Sequence, residues 1–198
     1  MHPTLLATLS TVSRSDSRAV RVAERAGAVA FVTVLTAIAA QISVPLPFTP
    51  VPLTLQPVAV LIGGAALGAR LGMTSQLVYL ALGIAGLPVF AASPALAQGP
   101  ARLLGPTGGY LMAYPVAAFV TGWLAERGFD RRYFTAVLAM SCGLAIIFAG
   151  GVLWLTRFVQ PAAALAAGLY PFIVEDIVKL LVAGAVMPSL WWLTRSRT

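Results

Sequence analysis

The chain has 198 residues, 59% of them hydrophobic and only 10% charged, with a formal net charge of +7. A soluble domain carries about 45–50% apolar and about 25% charged residues, and a chain of this size has too little interior to hide such an apolar excess. The composition excludes an ordinary soluble domain and points to a polytopic membrane protein, in which the positive charge acquires meaning only once its residues are located.

Residues 1–25 are rich in Ser, Thr and Arg and contain only the short apolar piece LLATL, too little for a signal peptide. They are expected to form a cytoplasmic tail, with residues 26–198 as the membrane domain. Apolar runs of about 20 residues, the length that spans a bilayer, recur at roughly 27–44, 51–69, 72–90, 108–125, 133–155 and 171–193. The runs are continuously apolar rather than alternating, so an all-α bundle of six transmembrane helices is expected, not a barrel. With the N-terminus inside, Arg14, Arg18, Arg21, Arg25, Arg70, Arg127, Arg131, Arg132, Arg195 and Arg197 all fall on the cytoplasmic side. Only Arg102 and Arg157 fall outside. This split predicts that both termini are cytoplasmic. The basic balance then records topology, and no nucleic-acid partner is expected.

The inventory of reactive groups is thin. Lys179 is the only lysine and no glycine-rich phosphate loop precedes it. His2 is the only histidine, which excludes an HExxH metal site and leaves no Ser–His pair near the membrane. No Cys/His cluster stands ready for a metal, and neither a metal nor a cofactor is expected. An enzyme is therefore the weaker class. Cys142, the single cysteine, is expected to pack as a small apolar residue in span five.

Along the chain, Ala26 and Ala30 sit one turn apart on span one and can offer a flat face to another protein. The connection VPLPFTPVPLTLQP (44–57) holds four closely spaced prolines, so it is expected to be extended and stiff, more lid than linker. Gln56, just inside span two, serves either as interhelical glue or as a ligand contact. Gly64, Gly68 and Gly72 recur every four positions and are expected to let span two pack closely on a neighbour. In span three Gln76 reads as structural and Tyr79 as a pocket candidate. Phe90, Tyr110 and Tyr114 lie near the outer interface, where a membrane belt accounts for them. Arg102 can steer an anion or simply be solvated. In GPTGGY (105–110) a turn is followed by Thr107, expected to cap the next helix, and by Gly108 and Gly109, which permit close backbone approach.

Span six is the most informative. Asp176 and Lys179 are three residues apart and share a helix face. An ionisable group in mid-membrane costs about 2.5–3.5 kcal/mol, so the two need a polar cavity, a partner, or each other. Entering from outside near Pro171, the helix sets Asp176 about 8 Å and Lys179 about 12 Å deep. They are read as lining a polar site open to the outside, the alternative being a neutralised pair that pins the bundle. Glu175, about 100° around the helix, receives no ligand role.

Taken in order, FTPVPLTLQP (48–57), LGIAGLPVF (82–90), GPTGGYL (105–111) and YPFIVEDIVK (170–179) resemble the BioY family, the biotin-specific substrate-capture (S) components of energy-coupling factor (ECF) transporters. The resemblance covers nearly all of the chain after the tail; GPTGGY and the downstream D-x-x-K are its more specific parts. It implies a six-helix S component in the cell's inner (plasma) membrane, surrounded by lipid, with an outward vitamin site. It also implies a T-type membrane partner and two cytoplasmic ATPases. Asp176 and Lys179 become biotin contacts, with Thr107, Gly108, Gly109 and Tyr110 of the loop as part of the site. An S component toppling in the bilayer would use the small-residue face at Ala26 and Ala30. Arg102 and the Ser/Arg tail fall outside the shared pattern.

Biotin's chemistry suits these residues. Asp176 can accept from a ureido N–H, Lys179 or an amide can donate to the ureido carbonyl, and Tyr, Phe or Leu walls can hold the apolar sulfur ring. Lys179 can equally pair with the valerate carboxylate. The expected function is a biotin-binding subunit of an ATP-driven importer, without catalysis in this chain. An S component for another vitamin and a self-sufficient proton-coupled carrier titrating Asp176 are the alternatives.

Overall fold

The computed structural model describes residues 3–12, 17–92 and 97–195. His2, Arg14, Asp16 and Arg197 lie outside them. The described chain forms α1 (Leu5–Val12), α2 (Arg18–Gln41), α3 (Gln56–Leu67), α4 (Ala69–Ile84), α5 (Pro100–Leu104), α6 (Gly108–Ala125), α7 (Tyr133–Leu155), α8 (Pro161–Gly168) and α9 (Tyr170–Arg195). A 3-10 turn covers Phe129–Arg131, and β1 (Ser43–Val44) pairs with β2 (Leu53–Thr54) in a short antiparallel ribbon.

Helices α6 and α7 take the bounds expected of spans four and five. The other boundaries move for local reasons. Helix α2 starts at Arg18, inside the stretch assigned to the tail, because RAVRVAERAGAVA holds no residue that stops a helix. Span two loses its first residues to the ribbon, since prolines 45, 47, 50 and 52 keep the chain extended up to Leu55. What remains, α3, has 12 residues and is about 18 Å long, short of the ~30 Å hydrocarbon core. Among the described residues two helices, Arg18–Gln41 and Tyr133–Leu155, are by themselves long and apolar enough to cross a membrane.

Helix α6 is the hub, packed against α3, α4 and α7. Glycine makes this possible. A methyl group on Gly64 would run into the backbone of Ala118, and one on Gly122 into the Gly68–Ala69 junction. At that junction Gly68 takes φ 85°, which lets one residue redirect the chain from α3 into α4. The expected role of Gly64, Gly68 and Gly72 in close packing therefore holds. Helix α2 is clasped to α4 by buried polar groups: Thr33 Oγ1 donates to the Ser75 carbonyl at 2.9 Å and Gln76 Nε2 donates to Thr36 Oγ1 at 3.2 Å. Gln76 is thus structural, as expected.

On α9, Phe172, Asp176, Leu180, Ala183, Met187 and Trp191 are buried. Their spacing of three and four describes one helical face, so Asp176 points into the bundle within an otherwise apolar stripe. Val174 and Val182 on the opposite face are largely exposed, as are Phe31 on α2 and Phe134 on α7 (83%). Cys142 also faces outward rather than into the packing expected for it. At the end of the bundle away from the ribbon, Trp191 Nε1 donates to Asp130 Oδ2 at 2.6 Å, Arg131 stacks 3.7 Å from the Trp191 ring, and Arg131 Nη2 donates to the Pro3 carbonyl at 3.1 Å. This cluster ties the 3-10 turn, α9 and the segment before α1 together.

Candidate ligand site

Near the ribbon, α3, α5, α6, α7 and α9 converge on a cavity of ≈ 60 Å³, space for about four water molecules. Its polar lining comes from Thr54, Gln56, Arg102, Thr107, Glu175, Asp176 and Lys179, and its apolar walls include Val51, Tyr110, Tyr114, Ile147 and Phe172.

Lys179 is the electrostatic centre. Its ammonium forms an ion pair with Glu175 one turn earlier, lies 3.5 Å from Asp176 Oδ1, and donates to the carbonyl of Thr54 at 2.7 Å. The last bond ties β2 to α9, and Thr49 Oγ1 ties the proline-rich connection to α8 through the Ala167 carbonyl at 2.7 Å. The stiff segment between α2 and α3 is thus held down over the cavity at two points. Asp176 is only 7% exposed, which a carboxylate tolerates when paired and hydrogen-bonded.

Glu175, about 100° around the helix from Asp176 and expected to take no ligand role, is placed otherwise by the structure. It lines the cavity and takes the closest ion pair with Lys179. The i,i+4 spacing of Glu175 and Lys179 was the signal that would have found it.

Of the two roles expected for Arg102, the solvated one is overturned. It is 3% exposed, not solvated, because α5 turns it under the segment after Phe90, where Nη2 donates to the Ala91 carbonyl at 2.9 Å. Burial pushes its pKa below the ordinary guanidinium value, although a guanidinium stays charged there. Among the described residues its Nε and Nη1 have no hydrogen-bond partner, nor do Thr107 Oγ1 and Glu175 Oε2. Thr107 precedes α6 but makes no side-chain cap bond. Its φ of −89° and ψ of −3° are not the extended conformation that turns a capping hydroxyl toward the first amides. The hydroxyl is left at the cavity instead.

Gly108 and Gly109 serve packing. A methyl on Gly108 would meet the Leu103 carbonyl, and one on Gly109 would meet Trp154 and the Gly150 carbonyl; neither lines the cavity. Tyr79 stands behind the wall. Its hydroxyl accepts from Gln56 Nε2 at 2.5 Å and donates to the Val89 carbonyl at 3.1 Å, fixing the Gln56 amide at the cavity edge. Gln56 is therefore both glue and lining. Phe90, Tyr110 and Tyr114 are buried and do not form a membrane belt. Tyr110 spends its hydroxyl on the Gly168 carbonyl at 2.7 Å, leaving its ring as wall, and Phe90 meets Tyr79 edge-to-face at 5.6 Å. Of the nine expected ligand residues, Gln56, Arg102, Thr107, Tyr110, Asp176 and Lys179 line this one cavity, while Tyr79, Gly108 and Gly109 do not.

The chain is similar to known proteins in both sequence and fold. A probable biotin transporter BioY of Pyrococcus horikoshii is 45% identical over 168 residues, covering 85% of this chain and 96% of the relative. The biotin transporter BioY of Thermotoga maritima is 41% identical over 156 residues, 78% of this chain and 88% of the relative. The crystal structure of the S component for biotin from an ECF-type ABC transporter superposes with a TM-score of 0.78 at 26% identity, covering 89% of this chain and 94% of that one. The sequence profile of the BioY family matches residues 11–196, and the chain belongs to that family.

Proposed function

We propose that this chain is the biotin-capturing S component of an ECF-type importer: it binds biotin from outside the cell in the cavity beneath the ribbon and leaves ATP hydrolysis to partners. The observation that carries the reading is the chemistry converging there. A buried carboxylate, an ammonium held by neighbours, and donors on Arg102 and Thr107 without a partner among the described residues face one small space walled by aromatic and aliphatic side chains. Unpartnered buried donors are costly unless a ligand completes them.

In this reading Asp176 accepts a ureido N–H and Lys179 donates to the ureido carbonyl. Arg102, which forms no ion pair among the described residues, receives the valerate carboxylate, and the Thr107 hydroxyl adds a polar contact. Tyr110, Tyr114 and Phe172 flank the ring system. Gln56 is positioned by Tyr79 to bond the head group. A cavity of ≈ 60 Å³ is too small for a bicyclic vitamin, so the ribbon and its proline-rich tip lift for admission, breaking the Lys179–Thr54 bond.

The helices α2, α3, α4, α6, α7 and α9 are the six spans, with α3 completed by the extended residues before it. Both termini are cytoplasmic and the protein is a multi-pass component of the plasma membrane. Exposed apolar faces such as Val174, Val178 and Val182 on α9 exceed what a soluble surface carries and support this setting. A T-type membrane protein and two cytoplasmic ATPases complete the importer, and Ala26 and Ala30, exposed on α2, form part of the contact face.

The test is calorimetric titration of the purified chain in detergent with biotin, without ATP. One-to-one tight binding is the expected result. A folded sample that takes up no biotin would remove the assignment. Uptake by cells that lack the ATPases but retain the proton gradient would instead favour a self-sufficient carrier.

A further inference from the structure

Tyr79 does not line the ligand cavity, yet it decides what one of the lining groups presents there. It is fully buried on α4, its ring edge-on to Phe90 at 5.6 Å and tilted against Tyr114 at 6.5 Å. Its hydroxyl carries one proton, and the Val89 carbonyl, at 3.1 Å, can only accept. That carbonyl is held in place from both sides, since the neighbouring carbonyls of Pro88 and Phe90 each accept from Gln41 Nε2 of α2 at 3.4 Å. The hydroxyl proton is therefore spent on Val89, and toward Gln56 the hydroxyl oxygen can only accept. The Gln56 amide must meet it with Nε2, as it does; a flipped amide would set two acceptors against each other.

Gln56 opens α3, and its backbone N–H bonds Thr54 Oγ1 at 3.4 Å. With Nε2 committed to Tyr79, Oε1 is the end of the amide left for the cavity, and it takes no hydrogen bond among the described residues. Asp176 likewise gives Oδ1 to Lys179 at 3.5 Å and keeps Oδ2, while Lys179 can only donate. Three side chains from α3 and α9 thus bring two acceptors and one donor to one space. A cyclic urea carries the opposite set, two N–H donors and one carbonyl acceptor. We propose that Tyr79 is a positioning residue that fixes Gln56 as an acceptor, so that Gln56 Oε1 and Asp176 take the two ureido N–H groups while Lys179 serves the carbonyl. The inference rests on the biotin reading above and deepens it: the site selects the donor–acceptor order of the head group as well as its shape. A ring of equal size with oxygen in place of one N–H turns an acceptor toward an acceptor, and it is rejected because a buried polar group loses its partner.

The experiment is calorimetry with biotin and with the two cyclic carbamates that carry oxygen in place of one or the other ureido N–H. The proteins are the full chain, Tyr79→Phe, Gln56→Met and the double variant. The wild type should bind each carbamate at least about tenfold more weakly than biotin. Gln56→Met should lose roughly tenfold in biotin affinity and stop discriminating against one carbamate, while still rejecting the other, which Asp176 opposes. Tyr79→Phe should show the same pattern, and the double variant should bind biotin no more weakly than Gln56→Met alone. Additive losses overturn the proposal, because Tyr79 would then act on the fold and not through Gln56. A carbamate that the wild type binds as well as biotin also overturns it, and that result needs no variant to fold. Biotin affinity left unchanged by Gln56→Met sinks this inference alone, whereas a folded wild type that binds no biotin sinks the reading beneath it.

Discussion

Lys179 shows why single side chains decide this site. It is shared by two carboxylates and a backbone carbonyl, so each substitution around it has a distinct expected signature. Asp176→Asn keeps the shape but exchanges an acceptor for a donor facing a ureido N–H. Loss of a charge-assisted hydrogen bond, about 1.5–3 kcal/mol, predicts a fall in biotin affinity of roughly 10- to 100-fold. Calorimetry on a folded variant with unchanged affinity would remove Asp176 from the site. Lys179→Met leaves Glu175 and Asp176 together without their cation. The Glu175 side chain is 28% exposed, so the stability loss should be about 2–3 kcal/mol, below the 3–5 kcal/mol of a fully buried broken pair. Adding Glu175→Gln should recover much of that stability, read by thermal unfolding, without recovering biotin binding. Recovery of both would mean that Lys179 only neutralises charge. Thr107→Val separates ligand from fold most cleanly. Its hydroxyl has no partner among the described residues, so the free protein should keep or slightly gain stability, while biotin affinity drops by up to about tenfold, the worth of one hydrogen bond. A variant that loses stability and keeps full affinity would assign that hydroxyl to the fold.

At the scale of elements, Gly109 exchanges a proposed ligand role for a packing one. Helices α6 and α7 approach so closely that its missing Cβ is filled by Trp154 and the Gly150 carbonyl. Gly109→Ala should therefore cost about 1–3 kcal/mol of stability through overpacking, with biotin affinity of the folded fraction falling less than about tenfold. An affinity loss without a stability loss would return Gly109 to the site. This position also shows what was legible in the sequence. Long apolar runs bounded by Gly105–Pro106 and by the arginines at 127, 131 and 132 gave α6 and α7 their observed limits, because helix-stopping residues and charges mark both ends. The limits of α3 were not legible in the same way. Hydropathy cannot separate an apolar helix from an apolar extended strand, and only the ribbon pairing of Leu53 and Thr54 with Val44 and Ser43 distinguishes them. The charged residues of α9 were visible as an intrusion into an apolar run. Their division of labour was not, because side-chain choice placed Lys179 on Glu175 and Thr54 as well as beside Asp176. Tyr110 and Tyr114, one turn apart, could be read as an interface belt from sequence alone. Only the approach of α7 and α8 to Tyr110 and of α4 to Tyr114 turns that face inward.

For the whole molecule, the proposed topology and the proposed importer make separate demands. Six spans with both termini inside require residues near Gly128 and near Val159 to lie on opposite sides of the membrane. In a Cys142→Ser background, an impermeant thiol reagent added to intact cells should label Val159→Cys and spare Gly128→Cys; the reverse pattern would invert the orientation. The importer requires a surface that matters for transport but not for capture. Ala26 and Ala30 are exposed one turn apart on α2, on a helix held to the bundle by the buried clasp to α4, so larger side chains there disturb nothing inside. Close approach of another helix depends on small residues, and a leucine at each position would hold the two backbones apart. Ala26→Leu/Ala30→Leu should therefore leave calorimetric biotin binding within about twofold, well under the 1.4 kcal/mol of a tenfold change, while abolishing most biotin uptake in cells that supply the membrane partner and ATPases. Intact uptake by this variant would move the partner contact to another face of the protein. Loss of binding together with uptake would show that the outer face of α2 is coupled to the cavity, and the division between a capture site and a docking face would then fail.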